Sequence, residues 1–434
     1  MREDVQARLR RLGVVKGARQ LKPVAPSKRP LPPVIAPPAP AEAGTTTDWA
    51  DDEPRPLSQL LPGGQVVETD NGGCFVLDRV YPLSHRHGRA QLADSRTLSL
   101  AATSQLGQDE RLADLTCADI LFLDTETTGL AGAGTLAFMV GAAFFEGEAF
   151  IVRQYFLRDH GDEPAMLHLL GELMAARRGF MTFNGRSFDL PLLDTRYLLN
   201  RLDPPIGPLL DYPHLDLLFP ARRLWRSRLT SCSLSSLEQN LLGVQRSQAD
   251  VPGYLIPGLY NDYLRTGDGR ELLRVFYHNE IDMLSMVTLV NEELRQLSQP
   301  DPADHPADLL SLARWQQAAG QPAAAEATGR LLLSLDPPLE LYQPALLFLA
   351  NLLKRQERRE EAALLWRQAA AVSFDDVTAH IELAKYYEWH HPDLAQALHY
   401  TAQALALLST QAAQPLRQAE LEHRLARLKR KCDE

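Results

Sequence analysis

The sequence predicts an α/β fold, a mixed β-sheet flanked by helices, followed by a separate all-α helical domain. Three observations carry this. Apolar runs of strand length, ILFL (120–123), AFMV (137–140) and FIV (150–152), crowd residues 120–156. After them, short strands alternate with segments of helical spacing up to about residue 298. Beyond about residue 305 the strand signals stop and a 34-residue periodicity begins.

Taken in order, residues 1–60 form a basic, then proline-rich arm and linker. PVAPSKRPLPPVIAPPAPAEAG and the acidic DWADDEPRP cannot bury a core, and the first residues read as a short amphipathic helix or a flexible arm. Residues 61–114 open with two β-rich runs around Asn71-Gly72-Gly73, a hairpin signal, taken as a β extension packed on the core that follows. Residues 115–298 make that core. ADILFLDTETTGL is a buried strand ending in carboxylates, and TLAFMVGAAFFEGEAFIVRQYFL supplies two strands turned at Glu146-Gly147. Helices are expected over 162–178, after Ser187, over 233–242 and over 271–298. Strands are expected at GFMTFN and at HLDLLFP (214–220). Residues 305–430 are the helical domain. Its pairs Ala350/Ala384, Leu349/Leu383, Leu353/Tyr387, Ala363/Ala397, Leu364/Leu398 and Trp366/Tyr400 are all 34 residues apart, the period of tetratricopeptide-like repeats.

Composition narrows the function classes. Across 434 residues, 45% hydrophobic and 23% charged content is that of a globular chain, and no apolar run reaches membrane-spanning length. The N-terminus lacks the apolar stretch of a secretory signal. Cys74, Cys117, Cys232 and Cys432 are scattered without CxxC spacing, which argues against a zinc ribbon or disulfide framework and fits a reducing, cytoplasmic setting. A net charge of −10 counts against a generally basic nucleic-acid binder but leaves room for a local basic groove.

Three short segments carry chemistry. Asp124 and Glu126 are two apart on a strand, so both carboxylates leave the same face at its end, a costly pairing unless a cation lies between them. Hard oxygen ligands of this kind suit Mg²⁺ or Mn²⁺. Asp189, in Asn184-Gly185-Arg186-Ser187-Phe188-Asp189, falls in the first turn of a helix that Ser187 is placed to cap, where it could equally be an acid favoured by the helix dipole. His278 and Asp282 are four apart on one helix and share a face, an arrangement more often a surface contact or a satisfied core histidine than a site.

Together and in this order, the segments resemble the DEDD exonuclease superfamily. Asp124 and Glu126 match its first motif, Asp189 its second (N-x-x-x-F-D) and Asp282 its third. More narrowly, FLDTETTGL, RQYFL, FNGRSFDLPLL, SCSLSSLEQNLLG and HNEIDMLSM look like the YprB-like branch of ribonuclease H-like proteins over about residues 60–298. The resemblance implies an RNase H-like sheet and a 3′–5′ exonuclease that hydrolyses phosphodiester bonds of DNA or RNA with two divalent ions, Mg²⁺ or Mn²⁺. It implies that Asp124 bridges the ions, that Glu126 and Asp282 hold one and Asp189 the other, and that Thr127, Leu130 and Asn184 meet the substrate. One departure matters. The family places histidine five residues, or tyrosine four residues, before the last aspartate; here Tyr277 and His278 stand at those positions with the types exchanged. His278 is expected to orient or deprotonate the attacking water, since imidazole accepts a proton near neutral pH, and Tyr277 is the fallback.

Other segments stay open. ARRLWRSR (221–228) sets four arginines around Trp225, either a backbone-tracking, base-stacking groove or a solvated loop with one buried tryptophan. Glu238, Asp194 and Asp216 are left outside the site. The repeats imply either a protein-binding surface or a brace for the core. The rival to an exonuclease is a catalytically silent scaffold that binds nucleic acid or protein.

Overall fold

A computed structural model describes residues 53–107, 109–129, 134–373, 376–409 and 414–433. Residues 1–52 of the arm expected over 1–60, and Leu130, lie outside the described residues.

One seven-stranded mixed sheet organises the first two thirds of the chain. Its strands are β1 (Gln65–Thr69), β2 (Gly72–Pro82), β3 (Ile120–Thr127), β4 (Ala137–Glu146), β5 (Ala149–Phe156), β6 (Gly179–Thr182) and β7 (His214–Asp216), in the order β1-β2-β5-β4-β3-β6-β7. β1 to β5 pair antiparallel with their sheet neighbours, whereas β3–β6 and β6–β7 are parallel. The β1–β2 hairpin turns where Asn71-Gly72 foretells it, with Gly72 at φ 102°. It continues the central sheet through β2 and β5 rather than packing on it as an extension.

Alternation along β3 sorts the two faces. Leu121 and Leu123 join a core with Met166, Leu170, Leu190, Leu193 and Tyr260, carried by α1 (Glu163–Ala175), α2 (Asp189–Leu199) and, further on, α4 (Ile256–Thr266). Ile120 and Phe122 join the opposite core with Trp225 of α3 (Leu218–Trp225) and Met283, Met286 and Val290 of α5 (Leu272–Ser298). Asp124 and Glu126 continue the even-numbered face, toward α5.

Two expected elements come out differently. The strand expected over 214–220 ends at Asp216 and α3 starts two residues later. Asp216 Oδ1 accepts from Leu218 N (3.1 Å), and Pro220, in the first turn, costs no helical hydrogen bond. The helix expected over 233–242 is a short α-turn (Leu234–Leu237) that opens into a π-helical turn (Glu238–Leu242) and stops at Gly243, φ 69°.

The C-terminal region is all-helical: α6 (Pro306–Ala318), α7 (Pro322–Ser334), α8 (Leu339–Arg355), α9 (Arg359–Ala371), α10 (Thr378–Trp389), α11 (Leu394–Ser409) and α12 (Pro415–Asp433). The spacing-related alanines 350, 363, 384 and 397 are all buried at helix contacts, where a small side chain lets backbones approach. Arg228 after α3 donates from Nε and Nη2 to the two carboxyl oxygens of the buried Asp308 of α6 (3.0 and 2.8 Å), and Trp315 Nε1 donates to the Leu106 carbonyl (2.9 Å). These contacts fasten the helical region to the sheet region. No helix among the described residues is long and apolar enough to cross a membrane.

Candidate active site

The site forms where β3 ends. Asp124 pairs across the sheet with Gly141 and Glu126 with Met139. From the α5 side, ligand-bearing atoms of Glu126, His278 and Asp282 gather within 4.8 Å of one another. Asp124 lies beside them: Asn279, one residue after His278, donates from Nδ2 to Asp124 Oδ2 (2.9 Å). Asp189 arrives from the opposite face of the sheet, as the first residue of α2. The hydroxyl of Thr125, which points to that face, donates to Asp189 Oδ1 (2.5 Å). Three elements therefore bring the four acids to one strand end.

Burial and neighbouring charges act together on these carboxyls. Burial, then the Asp282 and Asp189 charges, hold the Asp124 carboxyl well above the usual carboxylate range. Burial and the charges of Asp124, Asp282 and Asp189 do the same to Glu126. Burial, partly offset by the Thr125 hydroxyl, lifts Asp189 to about 6. Asp282 is also raised by burial, against the pull of His278 and Arg246. Four acids that disfavour one another's ionisation, with an imidazole nitrogen among them, form a donor set that fits hard divalent cations.

Several contributors escaped the sequence reading. Glu238, at the start of the π-turn and 1% exposed, grips Arg246 through both oxygens (2.7 Å each). Arg246 then extends to Asp282 Oδ1. Asp250 Oδ1 lies 2.8 Å from His278 Nδ1, and Arg246 Nη1 lies 3.2 Å from the same nitrogen. The carboxylate contact is shorter and carries charge, so Nδ1 is read as donor to Asp250. That leaves Nε2, 3.5 Å from Asp282 Oδ2, with its lone pair toward the acids. The segment 243–252 has neither helical nor strand periodicity, so its sequence gave no sign of Arg246 or Asp250. Asn279 is hidden between two motif residues.

The remaining expected residues fall as follows. Tyr277 is turned away from the acids, its hydroxyl accepting from Ser247 N (3.1 Å). Thr127 ends β3 with its hydroxyl on the Gly129 carbonyl (2.8 Å). Asn184 takes φ 69°, and its N–H, with that of Arg186, is held by Asp216 (2.7 and 3.2 Å). Asp216 thus shapes the turn that leads to Asp189. Ser187 does not cap α2; its backbone N–H closes the turn on Asn184 O (3.2 Å) instead. Asp194 binds Leu209 N (3.1 Å). Trp225 is fully buried, with Nε1 donating to Gln296 (3.1 Å), so it offers no stacking face.

Comparison with known proteins agrees with this architecture. The RNase_H_2 family of the RNase_H superfamily matches residues 121–293, the segment that holds all four acids and His278. The uncharacterized protein YprB of Bacillus subtilis (strain 168) is 33% identical over 397 residues, which cover 90% of this chain and 94% of that protein. The superfamily match points to a nuclease hydrolase that acts on nucleic acid. Residues 121–293 thus form an RNase_H superfamily domain, and the chain belongs to the family of Bacillus subtilis YprB.

Proposed function

We propose that the chain is a metal-dependent 3′–5′ exonuclease of the DEDD type acting on DNA or RNA. The supporting observation is that Glu126, His278 and Asp282 gather within 4.8 Å at the end of β3, with Asp124 held beside them by Asn279 and Asp189 held by Thr125. Asp124, Glu126, Asp189 and Asp282 would hold two divalent cations, Mg²⁺ or Mn²⁺. Such ions supply Lewis-acid activation and neutralise charge at a scissile phosphate.

The chain's own residues set up the rest. Asn279 fixes the rotamer of Asp124, and Thr125 that of Asp189. Arg246, anchored by Glu238, occupies Oδ1 of Asp282 and leaves Oδ2 facing His278. His278 takes the proton of the attacking water at Nε2, while Asp250 holds the ring by Nδ1 and stabilises the imidazolium that forms. Thr127, Leu130 and Asn184 are the candidate contacts to the terminal nucleotide. The C-terminal helices are read as tetratricopeptide-like repeats.

The test is incubation of 5′- and 3′-labelled single-stranded and duplex DNA and RNA with Mn²⁺, Mg²⁺ or EDTA, beside an Asp124→Asn control. Stepwise loss from the 3′ end, dependent on metal and absent in the control, is expected. Internal fragments would replace the exonuclease by an endonuclease. No cleavage of any substrate would favour the silent scaffold.

A further inference from the structure

One face of α3 gathers arginines on a chain of net charge −10. Arg222, Arg223 and Arg226 of the α3 segment and Arg314 of α6 are exposed, and among the described residues none has a carboxylate within 4.0 Å. Arginines elsewhere are commonly paired, as Arg228 is to Asp308 and Arg246 to Glu238 and Asp282. The unpaired four converge on an open groove of about 720 Å³ between the two helices. Phe219, 43% exposed, forms its floor, one helical turn from Arg222 and Arg223. Its ring lies 5.2 Å from the Arg223 guanidinium and meets the edge of Trp315 at 6.2 Å. The helices are held together there by Arg228–Asp308 and by a contact between the Ser227 and Ser311 hydroxyls (2.9 Å), so the groove is built across a fixed junction.

Position links this groove to the acidic cluster. Asp216 accepts from Asn184 and Arg186 in the turn that leads to Asp189, and also from Leu218 at the start of α3. Arg222 follows about 6 Å further along that helix. Arg186 and Phe188, in the turn just before Asp189, are both exposed. Guanidinium forks match phosphate oxygens, and an exposed ring accepts a base without regard to sequence.

We propose that α3 and α6 form a second, non-catalytic nucleic-acid site that grips the phosphodiester backbone of a strand whose end lies at the acidic cluster. Its placement as an upstream clamp rests on the nuclease reading; its affinity for a strand does not. The site acts through Arg222, Arg223, Arg226 and Arg314 on phosphates and Phe219 on a base. Long strands are held at the junction with the helical region, and short ones, which cannot reach it, are not.

The test compares the full chain with an Arg222→Gln/Arg223→Gln/Arg226→Gln/Arg314→Gln variant, all four at exposed positions. Binding of a ~20-nucleotide single strand in EDTA is measured across a salt series, since four lost phosphate contacts lower the log–log salt slope by about 3. Hydrolysis of bis(4-nitrophenyl) phosphate with Mn²⁺ reports on the acidic cluster alone. The expected result is binding weakened at least about tenfold, a smaller slope, and unchanged hydrolysis of the small ester. Equal affinity and slope in the two proteins would overturn the groove. Polyglutamate competing as well as the oligonucleotide would overturn it in favour of an acidic protein partner. No hydrolysis by either protein, with strand binding still lost in the variant, would sink the nuclease reading while the groove stands.

Discussion

Substituting Gly141 by alanine tests how Asp124 is held. Gly141 faces Asp124 across the β3–β4 ladder, and a Cβ built on it would lie 2.3 Å from Asn279 Oδ1 and 2.6 Å from Nδ2. Asn279 has no free space, being fully buried, with Oδ1 accepting from Gln154 Nε2 (3.0 Å) and Nδ2 donating to Asp124. It must therefore move and lose one or both bonds. Overpacking costs about 1–3 kcal/mol, and a buried hydrogen bond left unmade about 1–3 kcal/mol more. Together these give roughly 3–5 kcal/mol, a large share of a domain's stability. In an Asn279→Ala background the space is open, and Gly141→Ala should cost about nothing, or stabilise slightly through the lost backbone freedom of glycine. Urea unfolding of the four proteins closes the cycle, and the expected coupling is the difference between the two backgrounds, about 3–5 kcal/mol. Costs that add to within about 0.5 kcal/mol would show that Gly141 is not there to admit Asn279. Because Asn279 orients a candidate ligand, Gly141→Ala should also weaken Mn²⁺ binding about 10–100-fold.

Two further outcomes follow from single residues. Asp250→Ala, at a half-exposed position on the His278 ring, should slow strand hydrolysis on the order of 10²-fold while leaving binding in EDTA unchanged; an unaltered rate would remove Asp250 from the account. Glu293 is fully buried in α5, neither carboxyl oxygen has a hydrogen-bond partner among the described residues, and burial lifts its pKa well above 4.5. The folded chain thus keeps a proton that the unfolded chain releases above that pH, and stability is lost as pH rises toward the folded pKa. Glu293→Met should raise stability by about 1–3 kcal/mol or more at pH 8 and by less at pH 4, and denaturant midpoints showing no such pH trend would refute this.

How much of this was readable in the sequence depends on whether the signal was local. ILFL before Asp124 and the Asn71-Gly72 turn act within a few residues, and β3 and the β1–β2 hairpin stand where they place them. The spacing of Met283, Met286 and Val290 marks α5 in the same way. LDLLFP was ambiguous, since a short apolar run suits a strand or a buried helix, and only the cap made by Asp216 decides for α3. That choice also explains Trp225. Leu218, Ala221, Leu224 and Trp225 form the buried stripe of a helix, which turns the tryptophan inward and leaves Phe219 with the arginines outside. At the site, the acids could be named because their motifs are local. Arg246, Asp250 and Glu238 could not, because their roles come from a loop and a π-turn folded against α5. Asn279 needs the β3–β4 register as well, and no local pattern encodes which glycine lies across from Asp124.

The account depends on one pocket at the end of β3 capturing divalent cations. Anomalous diffraction from crystals of the full chain grown with Mn²⁺ addresses this directly. Manganese peaks about 2.0–2.3 Å from carboxylate oxygens of Asp124, Glu126 and Asp282 are expected, with a neighbouring peak near Asp189, and none in an Asp124→Asn/Asp282→Asn protein. Crystals saturated with Mn²⁺ that show no peak at these residues, with Arg246 still seated on Asp282, would contradict it.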